Sequence, residues 1–263
     1  MKRVFAFSIV WLLTLLPVYG QDWAKQSLDK SPRHGEWVTI KHGDRAVQAF
    51  IVYPESKAKA PAVVVIHEIF GMTDWVRSET DQLAAAGYIA IAPDLLSGMG
   101  PKGGNSSEFA DVDAARAAVA KLDKDVVTAD LNAVTDYVRK LPAATGKVAV
   151  AGFCWGGGQS FRFASNRPDL AAAFVFYGPP PENVSTIKAP VFGFYAGNDA
   201  RIDATIPATS EQMKQAGKKY DPVTYDGAGH GFMRAGEDPA GNDANKKARD
   251  DAWKRWLTLL KAM

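Results

Sequence analysis

Short apolar runs alternate along this chain with longer stretches in which apolar positions recur every three or four residues. The run 62–66 is flanked by Pro61 and the polar pair His67-Glu68, and 88–92, 147–153, 172–177 and 191–196 are further runs of this kind. Segments apolar on both faces predict strands inside a parallel sheet. A last strand is expected at 221–225, and two earlier ones at 36–41 and 46–53, around the turn His42-Gly43-Asp44-Arg45. Residues 74–86 predict a helix, with Gly87 where a helix-ending glycine belongs. Val127, Leu131, Val134, Val138 and Leu141 form one apolar helical stripe ended before Pro142. Helices are also expected near 156–166 and 206–216, and a closing one places Trp253, Trp256, Leu257 and Leu260 on one face. This alternation predicts right-handed crossovers and an α/β fold, a mostly parallel central sheet with helices on both faces. The glycine-bearing stretch 96–108 predicts a long loop at the strand edge where such sheets bind ligands.

Met1-Lys2-Arg3 precedes an apolar run over 4–16 broken only by Ser8 and Thr14, and then comes Pro17-Val18-Tyr19-Gly20. A basic start, a short apolar stretch and a small-residue exit predict a signal peptide over 1–20, cut after Gly20. The run is shorter than the roughly 20 apolar residues a membrane span needs. The expected product is therefore exported, periplasmic or secreted, without stable membrane association once the signal is gone. No Ser/Gly linker or internal repeat divides the rest, so 21–263 is expected to be one domain.

Composition narrows the function classes. With 47% hydrophobic and 23% charged residues the chain is not of the disordered type. Loss of Lys2 and Arg3 leaves the acidic residues matched one for one by basic ones, which is no design for gripping nucleic acid. The four histidines are scattered without paired ligand spacing, so neither metal nor cofactor is expected. The single cysteine, Cys154, cannot form an internal disulfide.

Cys154 stands in Gly152-Phe153-Cys154-Trp155-Gly156, where a strand gives way to a helix. Glycine two before and two after allows the tight turn of a nucleophile elbow, here carrying sulfur. The following helix N-terminus favours a thiolate. A thiol with a pKa of about 8.5 needs a base at neutral pH. His34 and His42 lie ahead of the main sheet and are expected to be solvent-exposed. His230, in the glycine-rich loop Gly227-Ala228-Gly229-His230-Gly231 after the last strand, can reach over the elbow. The carboxylate that orients it is expected to be Asp199 of Gly197-Asn198-Asp199, with Asp203 and Asp226 as competitors. The order Cys154, Asp199, His230 is the nucleophile–acid–base order of α/β-hydrolases. Backbone N–H groups for an oxyanion are expected from Trp155 and from Ile69 or Glu68 in the loop after the first buried run.

Together, His67-Glu68-Ile69-Phe70-Gly71, Gly152-Phe153-Cys154-Trp155-Gly156, Gly197-Asn198-Asp199 and Gly229-His230-Gly231-Phe232-Met233-Arg234 resemble the dienelactone hydrolase family over roughly 35–263. The resemblance implies an α/β-hydrolase fold and hydrolysis of a lactone or ester by a Cys–His–Asp triad, with Ile69 and Trp155 at the oxyanion. It also implies that Glu68 holds the resting thiol neutral and swings away when substrate arrives. Arg234 matches the family arginine that binds the substrate carboxylate. The family's second arginine and a tyrosine have no clear counterpart within 96–116.

The expectation is a monomeric, cofactor-free hydrolase of a small-molecule ester or lactone. A broad-specificity exported carboxylesterase is the alternative within enzymes, and a non-catalytic exported ligand-binding protein the alternative outside them.

Overall fold

The computed structural model describes residues 21–263; the segment expected to be a signal peptide lies outside them. In chain order the elements are α1 (Asp22–Asp29), β1 (Gly35–His42), β2 (Arg45–Val52), β3 (Ala60–Ile66), α2 (Asp74–Ala85) and β4 (Ile89–Pro93). There follow α3 (Val112–Val119), α4 (Lys124–Arg139), β5 (Ala144–Phe153), α5 (Trp155–Asn166), β6 (Ala173–Phe176) and β7 (Val191–Ala196). The chain closes with α6 (Ala200–Asp203), α7 (Ile206–Gln215), β8 (Tyr220–Tyr225), α8 (Phe232–Glu237) and α9 (Asp243–Lys261).

The eight strands form one sheet in the order β1-β2-β4-β3-β5-β6-β7-β8. Pairing is parallel from β4 through β8, and β2 alone runs against its neighbours. This is the expected mostly parallel sheet. Its central strands carry apolar residues on both faces because helices cover both. Val127, Leu131 and Val134 of α4, Phe161 of α5 and Met213 of α7 pack on one face. Trp75 and Leu83 of α2 and Trp256 and Leu260 of α9 pack on the other, joined by Ala24 of α1. The patterned helices start where side chains can cap them. Thr73 accepts from the N–H of Val76 ahead of α2, and Asp123 from those of Asp125 and Val126 ahead of α4.

Some short helices and one histidine differ from the sequence expectation. α1, α6 and α8 have too few residues to display a helical period. His42, expected in solvent, is instead held by the fully buried Asp130, whose carboxylate takes His42 Nε2 at 2.6 Å and Arg45 Nε at 2.7 Å. A buried carboxylate needs such partners, and the helix that brings Asp130 there lies almost ninety positions further along the chain.

The loop 94–108 is pinned rather than loose. Ser106 donates through its hydroxyl to Asp94 Oδ1 at 2.6 Å and through its N–H to Oδ2 at 2.9 Å. The same hydroxyl accepts from the N–H of Met72 at 3.0 Å, tying this loop to the one after β3.

Candidate active site

The strand β5 ends in the middle of the sheet, and α5 begins one residue after Cys154. Cys154 itself has φ 56° and ψ −117°, a conformation costly for a side-chain-bearing residue. The turn is tight enough that a Cβ on Gly152 would sit 1.9 Å from the carbonyl oxygen of Gly156. One on Gly156 would sit 2.4 Å from the carbonyl oxygen of His67. Both glycines are therefore required by contact, as the elbow reading expects. The Cys154 N–H donates to the carbonyl of Phe176 at 3.0 Å, which anchors the elbow to β6.

Two loops from strands further along the sheet bring the other groups. Asp199 follows β7, and His230 lies between β8 and α8. His230 donates through Nδ1 to Asp199 Oδ2. That bond fixes the tautomer in which Nε2 of the neutral ring is the acceptor, the form a general base needs. Asp199 occupies the N-cap position of α6, yet its side chain makes no capping bond there. Asp203 is half-buried with its carboxyl pushed up by burial and by the charge of Asp199, and Asp226 is exposed; neither is bonded to His230. The His230 imidazolium is favoured, its pKa raised to about 9. The neighbouring Cys154 side chain is the largest cause, burial opposes, and the bond to Asp199 adds to the rise.

Ile69 lies in the loop after β3 and Trp155 opens α5 next to Cys154, and no backbone carbonyl takes the N–H of either. His67 is fully buried, and its ring stacks on Trp155 at 5.5 Å. It donates through Nδ1 to the carbonyl of Glu68 at 2.7 Å and accepts through Nε2 from the N–H of Leu95 at 3.3 Å. Only the neutral ring can do both, and burial lowers its pKa accordingly.

Glu68 and Arg234 meet differently from the arrangement the resemblance implies. Glu68 is 2% exposed, and Oε2 accepts from Arg234 Nε at 2.8 Å. The guanidinium also lies 5.3 Å from the centroid of the Phe70 ring. Burial pushes the Glu68 carboxyl up, and Arg234 opposes this. The reason is desolvation: a carboxylate this buried takes the nearest cation. Arg234 thus faces a protein carboxylate, and Glu68 bonds to arginine rather than to the thiol.

Sequence reasoning missed Tyr177, which directly follows β6. Its ring meets that of His230 edge-on at 5.0 Å, and its hydroxyl is buried. Only its place at the end of an apolar run, before Gly178-Pro179, hinted at a role. Beyond Phe70 a cavity of about 570 Å³ opens, walled by Trp37, Gln48, Met72, Arg77 and Asn105. Among the described residues no group of three or more His, Cys, Asp or Glu side chains could hold a metal ion.

The model of the dienelactone hydrolase family matches residues 47–263. A Salmonella typhi protein named "Putative carboxymethylenebutenolidase" is 32% identical over 224 residues, 80% of each chain. Its namesake from Escherichia coli K12 is 31% identical over 221 residues, 79% of each. Among solved structures, a "Putative Dienelactone Hydrolase" from Klebsiella pneumoniae aligns with TM-score 0.75 at 26% identity, covering 88% of this chain and 99% of that one. The dienelactone hydrolase-like promiscuous phosphotriesterase P91 from metagenomic libraries aligns at 0.73 and 22%, over 88% and 98%, a likeness of fold.

Proposed function

The chain belongs to the dienelactone hydrolase family and is a hydrolase of that kind; on that premise we propose that it cleaves a lactone or carboxylic ester through Cys154, His230 and Asp199. The observation that carries this reading is the Nδ1 bond from His230 to Asp199 beside a strained cysteine elbow.

In this reading His230 Nε2 takes the thiol proton while Asp199 steadies the imidazolium. The Cys154 sulfur adds to the carbonyl carbon, and the N–H groups of Ile69 and Trp155 receive the oxyanion. The tetrahedral adduct collapses by breaking the bond to the alkoxide oxygen, which takes the proton from His230. For a lactone the alcohol so formed remains tethered to the acyl group. Water then gives a proton to His230 and attacks the thioester, the acid leaves, and the thiol is restored.

Substrates bearing a carboxylate are accommodated if Arg234 turns from Glu68 to the ligand, and Glu68 then becomes free to act on the thiol. Residues 1–20 support the further proposal that the enzyme works outside the cytoplasm. The purified protein should hydrolyse an activated ester, and Cys154→Ala should abolish turnover while leaving the thermal melt intact. Full activity in that variant would exclude the mechanism. A panel of lactones against simple esters separates a lactonase from a broad carboxylesterase. Cell fractionation tests the location.

A further inference from the structure

Among the described residues only two other than glycine have positive φ, Cys154 at 56° and Tyr177 at 40°. They lie on adjacent strand ends and share a peptide group: Cys154 donates to the carbonyl of Phe176, the residue immediately before Tyr177. Strain at the nucleophile has an evident reason. Strain at a fully buried tyrosine is a second cost, and such costs persist where the surroundings enforce them for function.

The strain delivers the Tyr177 side chain into the site. Its ring packs edge-on against His230 at 5.0 Å and against Phe232 at 5.3 Å. Its hydroxyl is buried, yet it bonds to nothing. A buried hydroxyl without a partner is ordinarily selected against, since its desolvation costs about 1–3 kcal/mol. The charges felt most strongly there are those of Glu68, Arg234, Cys154 and Glu79. Burial foremost, then the negative groups, keep the phenol protonated well beyond its usual range. Tyr177 therefore stands by as a neutral donor.

We propose that the hydroxyl of Tyr177 donates a hydrogen bond to the sulfur of Cys154 when the thiolate forms. This rests on the reading of Cys154 as nucleophile. The thiol proton passes to Nε2 of His230, and the phenol keeps its own. A donor unpaired in the resting state and paired only in the ionised one favours ionisation, because its gain is confined to the reactive form. His230, backed by Asp199, also acts on the sulfur, while the charges of Glu68, Arg234 and Glu79 reach the phenol itself.

Tyr177→Phe removes the oxygen and keeps the ring against His230 and Phe232. The rate of iodoacetamide alkylation of Cys154 across pH 5 to 10 reads the thiolate directly and requires no substrate. The expected result is alkylation at pH 7 about ten-fold slower, with the pH midpoint raised and the thermal melt not lowered. The loss should recur when the same change is made in Glu68→Gln. An unchanged profile would overturn the proposal, and so would a loss that vanishes in the Glu68→Gln background, since the hydroxyl would then act on Glu68. Ester turnover by the wild type and by Cys154→Ala separately tests the reading of Cys154 as nucleophile. Where turnover depends on Cys154, kcat/KM should fall with Tyr177→Phe, and KM should hold.

Discussion

The Nε of Arg234 reaches Oε2 of Glu68 at 2.8 Å, so the side chain expected to hold a substrate anion is engaged by an anion of the protein. The two residues are 166 positions apart and come from the loop after β3 and from α8. Glu68 is almost fully buried, whereas the Arg234 side chain is 32% exposed. The pair is therefore lopsided: arginine can turn outward to water or ligand, and glutamate cannot follow it into solvent without moving its loop.

Arg234→Gln should thus destabilise the fold by about 2 kcal/mol, less than for a wholly buried pair because the guanidinium is partly hydrated. Glu68 has its pKa raised by burial and lowered by Arg234. Without arginine that pKa climbs further, so the loss should be greater at pH 8, where the carboxyl must ionise, than at pH 5. Urea unfolding at both values measures it. The double change Glu68→Gln with Arg234→Gln should recover most of the loss; no recovery would show that the pair does not act as a unit.

The same arginine makes a prediction about specificity. Arg234→Ala should reduce kcat/KM for carboxylate-bearing substrates by at least about ten-fold more than for neutral esters of similar size. Equal losses for both would mean that Arg234 serves Glu68 and not the ligand.

Asp199→Asn should leave the fold in place and lower kcat by about two to four orders of magnitude, through loss of the correct tautomer at His230. Asp203→Asn should change kcat little, since Asp203 is not bonded to the ring. The pair of variants, assayed on one activated ester, discriminates between the two acids.

The pKa of His230 rises on folding from 6.5 to about 9. Between those values the folded state binds more protons than the unfolded one, so this contribution to stability is full below pH 6.5 and disappears as pH rises through 9. Wild type should lose melting temperature over this window relative to His230→Gln. Parallel curves for the two proteins would contradict the raised pKa.

Gly156→Ala should cost about 3 kcal/mol or prevent folding, because its Cβ would meet backbone carbonyl oxygens of His67 and Ile66 at 2.4 and 2.5 Å. Chemical denaturation of the soluble fraction checks it.

What sequence alone determined here is whatever depends on neighbours along the chain. The wholly apolar runs at 62–66 and 191–196 could satisfy water on neither face, so buried parallel strands followed. The stripe from Val127 to Leu141 had one helical solution, and Gly152 with Gly156 around Cys154 left room only for a sharp turn. Asp199 and His230 were legible because each lies in the loop that follows a strand, and strand ends in such a sheet converge on one edge. Tertiary structure alone decided which partner each buried charge took. Glu68 with Arg234 and Asp130 with His42 and Arg45 are pairings across 85 to 166 positions, set by desolvation once the sheet has closed. The strained backbone of Tyr177 belongs to the same category, since a tyrosine with positive φ has no signature in composition or period.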